Sequence, residues 1–150
     1  MPTAADYETA ERLGRKRARM LPFFAIIFLT QQASYFSGPD VNAGRPVDHI
    51  RIAAWLAMSV VLLLVLATGG GWFRSREVRA LMNDEVTRVH RADAFRIGFF
   101  AAMIACIGVY LLGLFEPIGG RETVHLVMSC GIAAVLVRFG MLERRAHQDG

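Results

Sequence analysis

The chain has 150 residues, 54% hydrophobic and 20% charged, with a net charge of +4. That length suits one domain, and its charges gather between four almost uncharged apolar runs instead of alternating with apolar residues inside each element. Such segregation excludes an ordinary soluble domain, and it makes the basic excess a property of membrane flanks rather than of a nucleic-acid surface.

The N-terminal segment ADYETAERLGRKRARM is helix-compatible. Its acids come first (Asp6, Glu8, Glu11) and its bases last (Arg15, Lys16, Arg17, Arg19), the order a helix macrodipole favours. The first apolar run, Met20 to Phe36, follows at once, with Pro22 expected in the opening turn of a new helix. A signal peptide is the rival reading. The leader is long and acidic for that, and no small-x-small pair is well placed for cleavage, so a retained helix is expected. Residues 37–49 are rich in Gly, Pro, Asp and Asn, which is loop chemistry.

The second run, Ile50 to Thr68, is closed by Gly69, Gly70 and Gly71, with Trp72 and Phe73 at an interfacial position. The polar middle, Arg74 to Arg96, carries six of the seventeen Lys/Arg residues. In it Val78, Leu81, Met82, Val86 and Val89 form an apolar stripe at helical spacing, and a short surface helix is expected over 75–82. Asn83 reads as a cap followed by the acids Asp84 and Glu85, opening a longer helix in which Asp84 and Arg88 form an i,i+4 pair. That helix runs into the third span, about 97–115. The loop EPIGGRE turns the chain into the fourth span, about 123–141, and LERRAHQDG follows as a basic tail. The expected fold is therefore all-α, a single four-helix transmembrane bundle over 1–150 with spans at about 20–36, 50–68, 97–115 and 123–141 and cytoplasmic helical extensions on the first and third helices.

Basic residues set the orientation. Five stand before the first span and six in the middle, with Arg144 and Arg145 in the tail, whereas the other two loops hold only Arg45, Arg51 and Arg121. The bias places both termini and the middle on the cytoplasmic side. Sliding the chain against itself by 76 residues pairs 8–57 with 84–133. The ten identities include Arg12 with Arg88, Phe23-Phe24-Ala25 with Phe99-Phe100-Ala101, Gly44-Arg45 with Gly120-Arg121, and His49 with His125. Roughly three or four would arise between unrelated segments of this composition. Two readings stand: a duplicated hairpin with an axis along the membrane normal, and the shared composition of any two membrane hairpins.

No catalytic motif is present. His49 and His125, equivalent under the repeat, are the weak candidates for ligating a metal or a haem iron from opposite helices. The plainer reading makes them interfacial or capping residues, since two histidines fall short of a zinc site. Hence no cofactor and no metal are expected. Thr30, Gln31, Gln32, Ser129 and Cys130 read as interhelical packing groups. Arg138 is read as snorkelling to the cytoplasm. Cys106 and Cys130 lie at similar depth, close enough to touch, and match no zinc, redox or disulfide pattern. Asp84 and Glu85 suit capping better than acid–base work.

The runs RKRARMLPFFA, ATGGG, NDEVTRVHR, LFEP and RFGMLERRA resemble a group of small four-helix inner-membrane proteins of sphingomonad-type Alphaproteobacteria. The resemblance implies an integral inner-membrane protein, brings no assigned activity and carries over no functional residue. The expected function is a non-enzymatic membrane component whose basic cytoplasmic face (Arg15, Arg19, Arg74, Arg76, Arg79, Arg88, Arg91) meets a membrane or cytoplasmic protein, with anionic headgroups as the other attraction. The lipid bilayer is the surrounding partner, a second copy of the chain is an open one, and nucleic acid is not expected. A small-molecule transporter and a redox protein using His49 and His125 are the alternatives.

Overall fold

A computed structural model describes residues 3–36, 46–69, 78, 80–81 and 84–146. These form four helices, α1 (Ala4–Phe36), α2 (Pro46–Thr68), α3 (Glu85–Leu112) and α4 (Gly120–Ala146), and no strand occurs among the described residues. Arg17 of α1 meets the last residues of α2 and α4 and the first turn of α3, so the helices alternate in direction.

α1 is one unbroken helix of 33 residues, and Pro22 lies inside it, not in the opening turn of a second helix as expected. Pro22 removes one backbone donor, a cost that tertiary packing offsets here. Its ring sits where α4 has Gly140, and a Cβ on that glycine would lie 2.7 Å from Pro22 Cδ. At the N-terminus Thr3 and Asp6 form a reciprocal capping box: the Thr3 amide donates to Asp6 Oδ2 at 2.8 Å, and the Asp6 amide donates to Thr3 Oγ1 at 3.3 Å.

α2 opens on Pro46, whose missing N–H costs nothing at a first helical position. It ends at Gly69, which takes a left-handed φ of 74°. α3 is capped by Asp84, whose carboxylate accepts from the Thr87 amide at 2.8 Å. The cap thus falls one residue later than expected, and the carboxylate serves the helix end instead of Arg88: no Asp84–Arg88 ion pair forms among the described residues. α3 stops at Leu112, capped by Gly113, three residues short of the expected end. α4 continues through the expected tail, and Arg144 and Arg145 in its last turn complement the helix dipole.

α4 is the hub. It packs closely on α3 and α1, and its backbone comes near α2 at only a few positions. The α3–α4 crossing is built on small residues. A Cβ on Gly98 would collide with Val135 and lie 3.0 Å from the Gly131 carbonyl, and one on Gly131 would lie 3.3 Å from Ala102 Cβ. The core runs through Leu21, Ala25 and Phe28 of α1, Trp55, Leu62 and Leu66 of α2, and Ile132, Leu136 and Phe139 of α4.

The apolar stripe expected along the start of α3 is not its buried face. Val86 and Val89 are 53% and 59% exposed, while Thr87 and Ala94 are buried. Of the expected helix over 75–82, Val78, Ala80 and Leu81 are helical. Trp72, Phe73, Arg74, Arg76, Arg79, Asn83 and the loop over 37–45 lie outside the described residues.

The residues at 49–68, α3 and α4 are each long and apolar enough to cross a membrane. α1 does not reach that standard, because Thr30, Gln31 and Gln32 interrupt its 17-residue apolar half and arginines crowd its other end.

Candidate functional site

The polar interior of the bundle is divided into two layers. The inner layer joins all four helices. Arg17 projects from α1 and pairs with Glu143 of α4 at 2.6 Å, and both side chains are almost wholly buried. The same guanidinium donates to the Gly69 carbonyl at the end of α2 (3.1 Å) and to Thr87 Oγ1 of α3 (3.4 Å), and it lies 5.3 Å from the centre of the Phe139 ring. The second Glu143 oxygen stands 3.3 Å from His90 Nδ1.

Helix geometry explains why Arg17, alone among five neighbouring cations, turns inward. At about 100° per residue, Arg12, Arg15, Lys16 and Arg19 fall on one face of α1, and Arg17 lies about 140° from Arg12. That direction borders the buried face formed by Ala10, Gly14, Ala18, Leu21 and Ala25. Removing a carboxylate and a guanidinium from water is costly, and the arrangement recovers that cost through short, charge-assisted bonds to several partners. Above the pair opens a cleft of about 550 Å³ lined by Tyr7, Glu11, Asp84 and Thr87 as well as Arg17 and Glu143. Beside the layer, Arg138 pairs with Asp93 of α3 at 2.8 Å, both about a third exposed. Arg138, expected to snorkel, thus reaches an acid within the polar stretch 74–96.

The outer layer lies further along the bundle. Counting fifteen residues from the Arg17 level reaches Gln32 on α1, Ala54 on α2 and Met128 on α4, roughly 22 Å away at 1.5 Å per residue. At this level Trp55 and His125 stack with ring centroids 4.2 Å apart and planes inclined by 23°. Gln32, Ser59 and Ser129 are buried nearby in sequence register, and their side-chain polar atoms, like Trp55 Nε1, have no hydrogen-bond partner among the described residues.

The two candidate histidines differ sharply: His125 is buried against Trp55, and His49 is exposed. No group of three or more His, Cys, Asp or Glu side chains able to hold a metal occurs among the described residues. Cys106 and Cys130 are both exposed, free thiols. Thr30 bonds back to the Ile26 carbonyl at 2.9 Å, a local contact in place of the expected interhelical one.

Of the expected basic face, Arg15, Arg19 and Arg88 are exposed and Arg91 is half-buried. Arg74, Arg76 and Arg79 lie outside the described residues. Arg12, Arg15, Lys16 and Arg19 surround a concavity of about 510 Å³. Arg15 is partly engaged by Glu11 at 3.3 Å. Sequence reasoning missed the inner layer. The signals were the position of Arg17 off the basic stripe and Glu143 as the one acid among the arginines that close α4. No family model matches the chain, and no curated protein or solved structure matches it either.

Proposed function

We propose that this chain is a four-helix multi-pass protein of a bacterial inner membrane, with both termini and the polar middle on the cytoplasmic side. It acts there as a non-enzymatic accessory component that docks an acidic protein through its basic collar. The carrying observation is an inverted distribution of polarity. Large apolar side chains face outward along the helices, among them Phe23 at 60%, Phe99 at 61% and Ile104 at 69% exposure, while Arg17 and Glu143 are buried. Lipid is the solvent that makes such a surface favourable. Under this reading α1 crosses as the fourth span, shielded by α4, and its Thr30–Gln32 segment lies toward the far side.

The collar is what remains for recognition. Arg15 and Arg19 on α1 and Arg88 on α3 stand exposed where the helices would leave the membrane; Glu143 is committed to Arg17, and among the described residues only the exposed Glu11 contact of Arg15 offsets their charge. Two measurements test the reading. Reporter fusions after residues 40 and 80 should report the outer and cytoplasmic sides respectively; the reverse pattern would remove the orientation. Gentle detergent extraction should co-purify a stoichiometric acidic protein, which Arg15→Glu with Arg88→Glu should release. Purification without a partner, or capture unchanged by the double substitution, would refute the docking role.

A small-molecule transporter is the second reading. Its support is the outer layer, where Gln32, Ser59 and Ser129 hold buried polar atoms that a polar solute would satisfy. A solute flux in liposomes that is abolished by Gln32→Leu would favour it over the accessory role.

A further inference from the structure

The α1–α2 side of the bundle carries an apolar groove that protein docking does not use. A groove of about 410 Å³ runs between the two helices, walled by Phe24 and Ile27 of α1 and Val61 and Val65 of α2, with Leu136 of α4 as its floor. At its cytoplasmic end it reaches Lys16 and Met20, and these two residues also line the concavity formed by Arg12, Arg15 and Arg19. An apolar slot and a basic cup therefore share one rim.

We infer that this composite site binds one anionic phospholipid of the cytoplasmic leaflet, its phosphate among Arg12, Lys16 and Arg19 and one acyl chain in the α1–α2 groove. Length supports the match. The α2 side is lined from Met58 to Gly69, about 17 Å at 1.5 Å per residue, close to the roughly 15 Å hydrocarbon depth of one leaflet. Charge supports it too. Arg12, Lys16 and Arg19 enter no ion pair among the described residues, and they follow one helical stripe at i, i+4 and i+7. Arg17, on the opposite side of α1, is already committed to Glu143 and Gly69 and so closes the groove's end without competing for the phosphate. The same geometry accounts for the gap between α1 and α2, whose backbones approach each other less than those of α2 and α4 do: the lipid chain supplies contacts that the α1–α2 pair lacks. The inference rests on the membrane part of the proposed function; it commits Arg19 to the headgroup and leaves Arg15 and Arg88 to a protein partner.

Native mass spectrometry of the detergent-purified full chain tests it, with phosphatidylglycerol, phosphatidylcholine of the same acyl chains, and glycerol 3-phosphate as probes. Phosphatidylglycerol should add one lipid per chain with at least about tenfold preference over phosphatidylcholine. Glycerol 3-phosphate alone should not bind measurably, because it lacks the chain that fills the groove. Lys16→Gln with Arg19→Gln should abolish the headgroup preference. Val61→Trp, at a half-exposed position, should block both lipids while helicity by circular dichroism stays unchanged. Equal affinity for the two lipids, binding unaffected by either variant, tight binding of glycerol 3-phosphate, or a lipid-free dimer with the groove occupied by a second copy would each overturn the site. Carbonate washing of membranes separates the two levels. A chain released by carbonate would remove the membrane reading and the site with it; a chain retained without the lipid preference would remove the site alone.

Discussion

Arg17 and Glu143 show how one pair orders a bundle. Replacing Glu143 with Leu, or Arg17 with Met, leaves a buried charge unmatched, and each single variant should lose about 3 kcal/mol of stability. The double variant Arg17→Met with Glu143→Leu should lose less than the sum of the singles, because no orphaned charge remains. Thermal unfolding in detergent reads this coupling, and strict additivity would show that the pair is not a unit. A second residue-level effect is set by pH. The Thr3 amide, then the Thr3 hydroxyl, hold the Asp6 carboxyl below its ordinary range. Because the folded value is the lower one, the cap's contribution is complete above the unfolded pKa of about 3.9 and is lost as pH falls through the folded value. Protection of the amides in the first two turns of α1, taken relative to their intrinsic exchange at each pH, should therefore fall on acidification below about pH 4, and Asp6→Asn should flatten that response. Arg17 was readable in the sequence as the cation out of register with its neighbours. Its distant partners were not, since Thr87 and Glu143 are separated from it by 70 and 126 residues and only the fold joins them.

The helices meet through absent side chains. Gly98 faces Val135 and the Gly131 carbonyl, and Gly140 faces the rigid Pro22 ring, so neither site has room for a methyl group unless a stiff neighbour moves. Gly98→Ala and Gly140→Ala should each destabilise by about 1–3 kcal/mol through overpacking. Val135→Ala should rescue the first and Pro22→Ala the second. Gly108, also inside α3, has nothing within 4 Å of its added Cβ, so Gly108→Ala should be neutral or stabilise by up to about 1 kcal/mol from helix propensity. Equal effects at all three glycines would refute the steric account. The existence and type of these elements were legible, because 17 to 20 apolar residues bounded by charge or glycine admit little but a helix. Their limits were less so. α1 runs through Pro22 because α4 offers Gly140 to its ring, and α3 ends at Gly113 although apolar residues continue to Phe115. A local pattern carries neither fact. The stripe of Val86 and Val89 misled for a related reason: apolar periodicity identifies a face but not what covers it, and here α4 packs on the face of Thr87 and Ala94 instead.

At the scale of the molecule, the 76-residue offset survives in the helix limits and fails in the packing. Phe36 and Leu112, which end α1 and α3, are equivalent under it, and α2 and α4 start within two residues of equivalence. Yet His49 is exposed and His125 buried, and α4 is the hub while α2 stands at the periphery. Whatever the origin of the two hairpins, their second helices now do different work. α2 is held by the Trp55–His125 stack, by Leu62 and Leu66 in the core, and by the bond from Arg17 to the Gly69 carbonyl. With so few points of attachment it should be the first helix to loosen, since local opening follows the density of buried contacts. Hydrogen exchange of the detergent-solubilised chain should show α2 amides exchanging before those of α4. Trp55→Ala should accelerate exchange across α2 while leaving α3 and α4 little changed. Arg17→Met should accelerate it mainly over 64–69, because it removes the bond to the Gly69 carbonyl at that end of α2. Uniform exchange across the four helices would mean that the bundle opens as one unit. In that case the periphery of α2 is geometric only, and the groove beside it is no softer than the core.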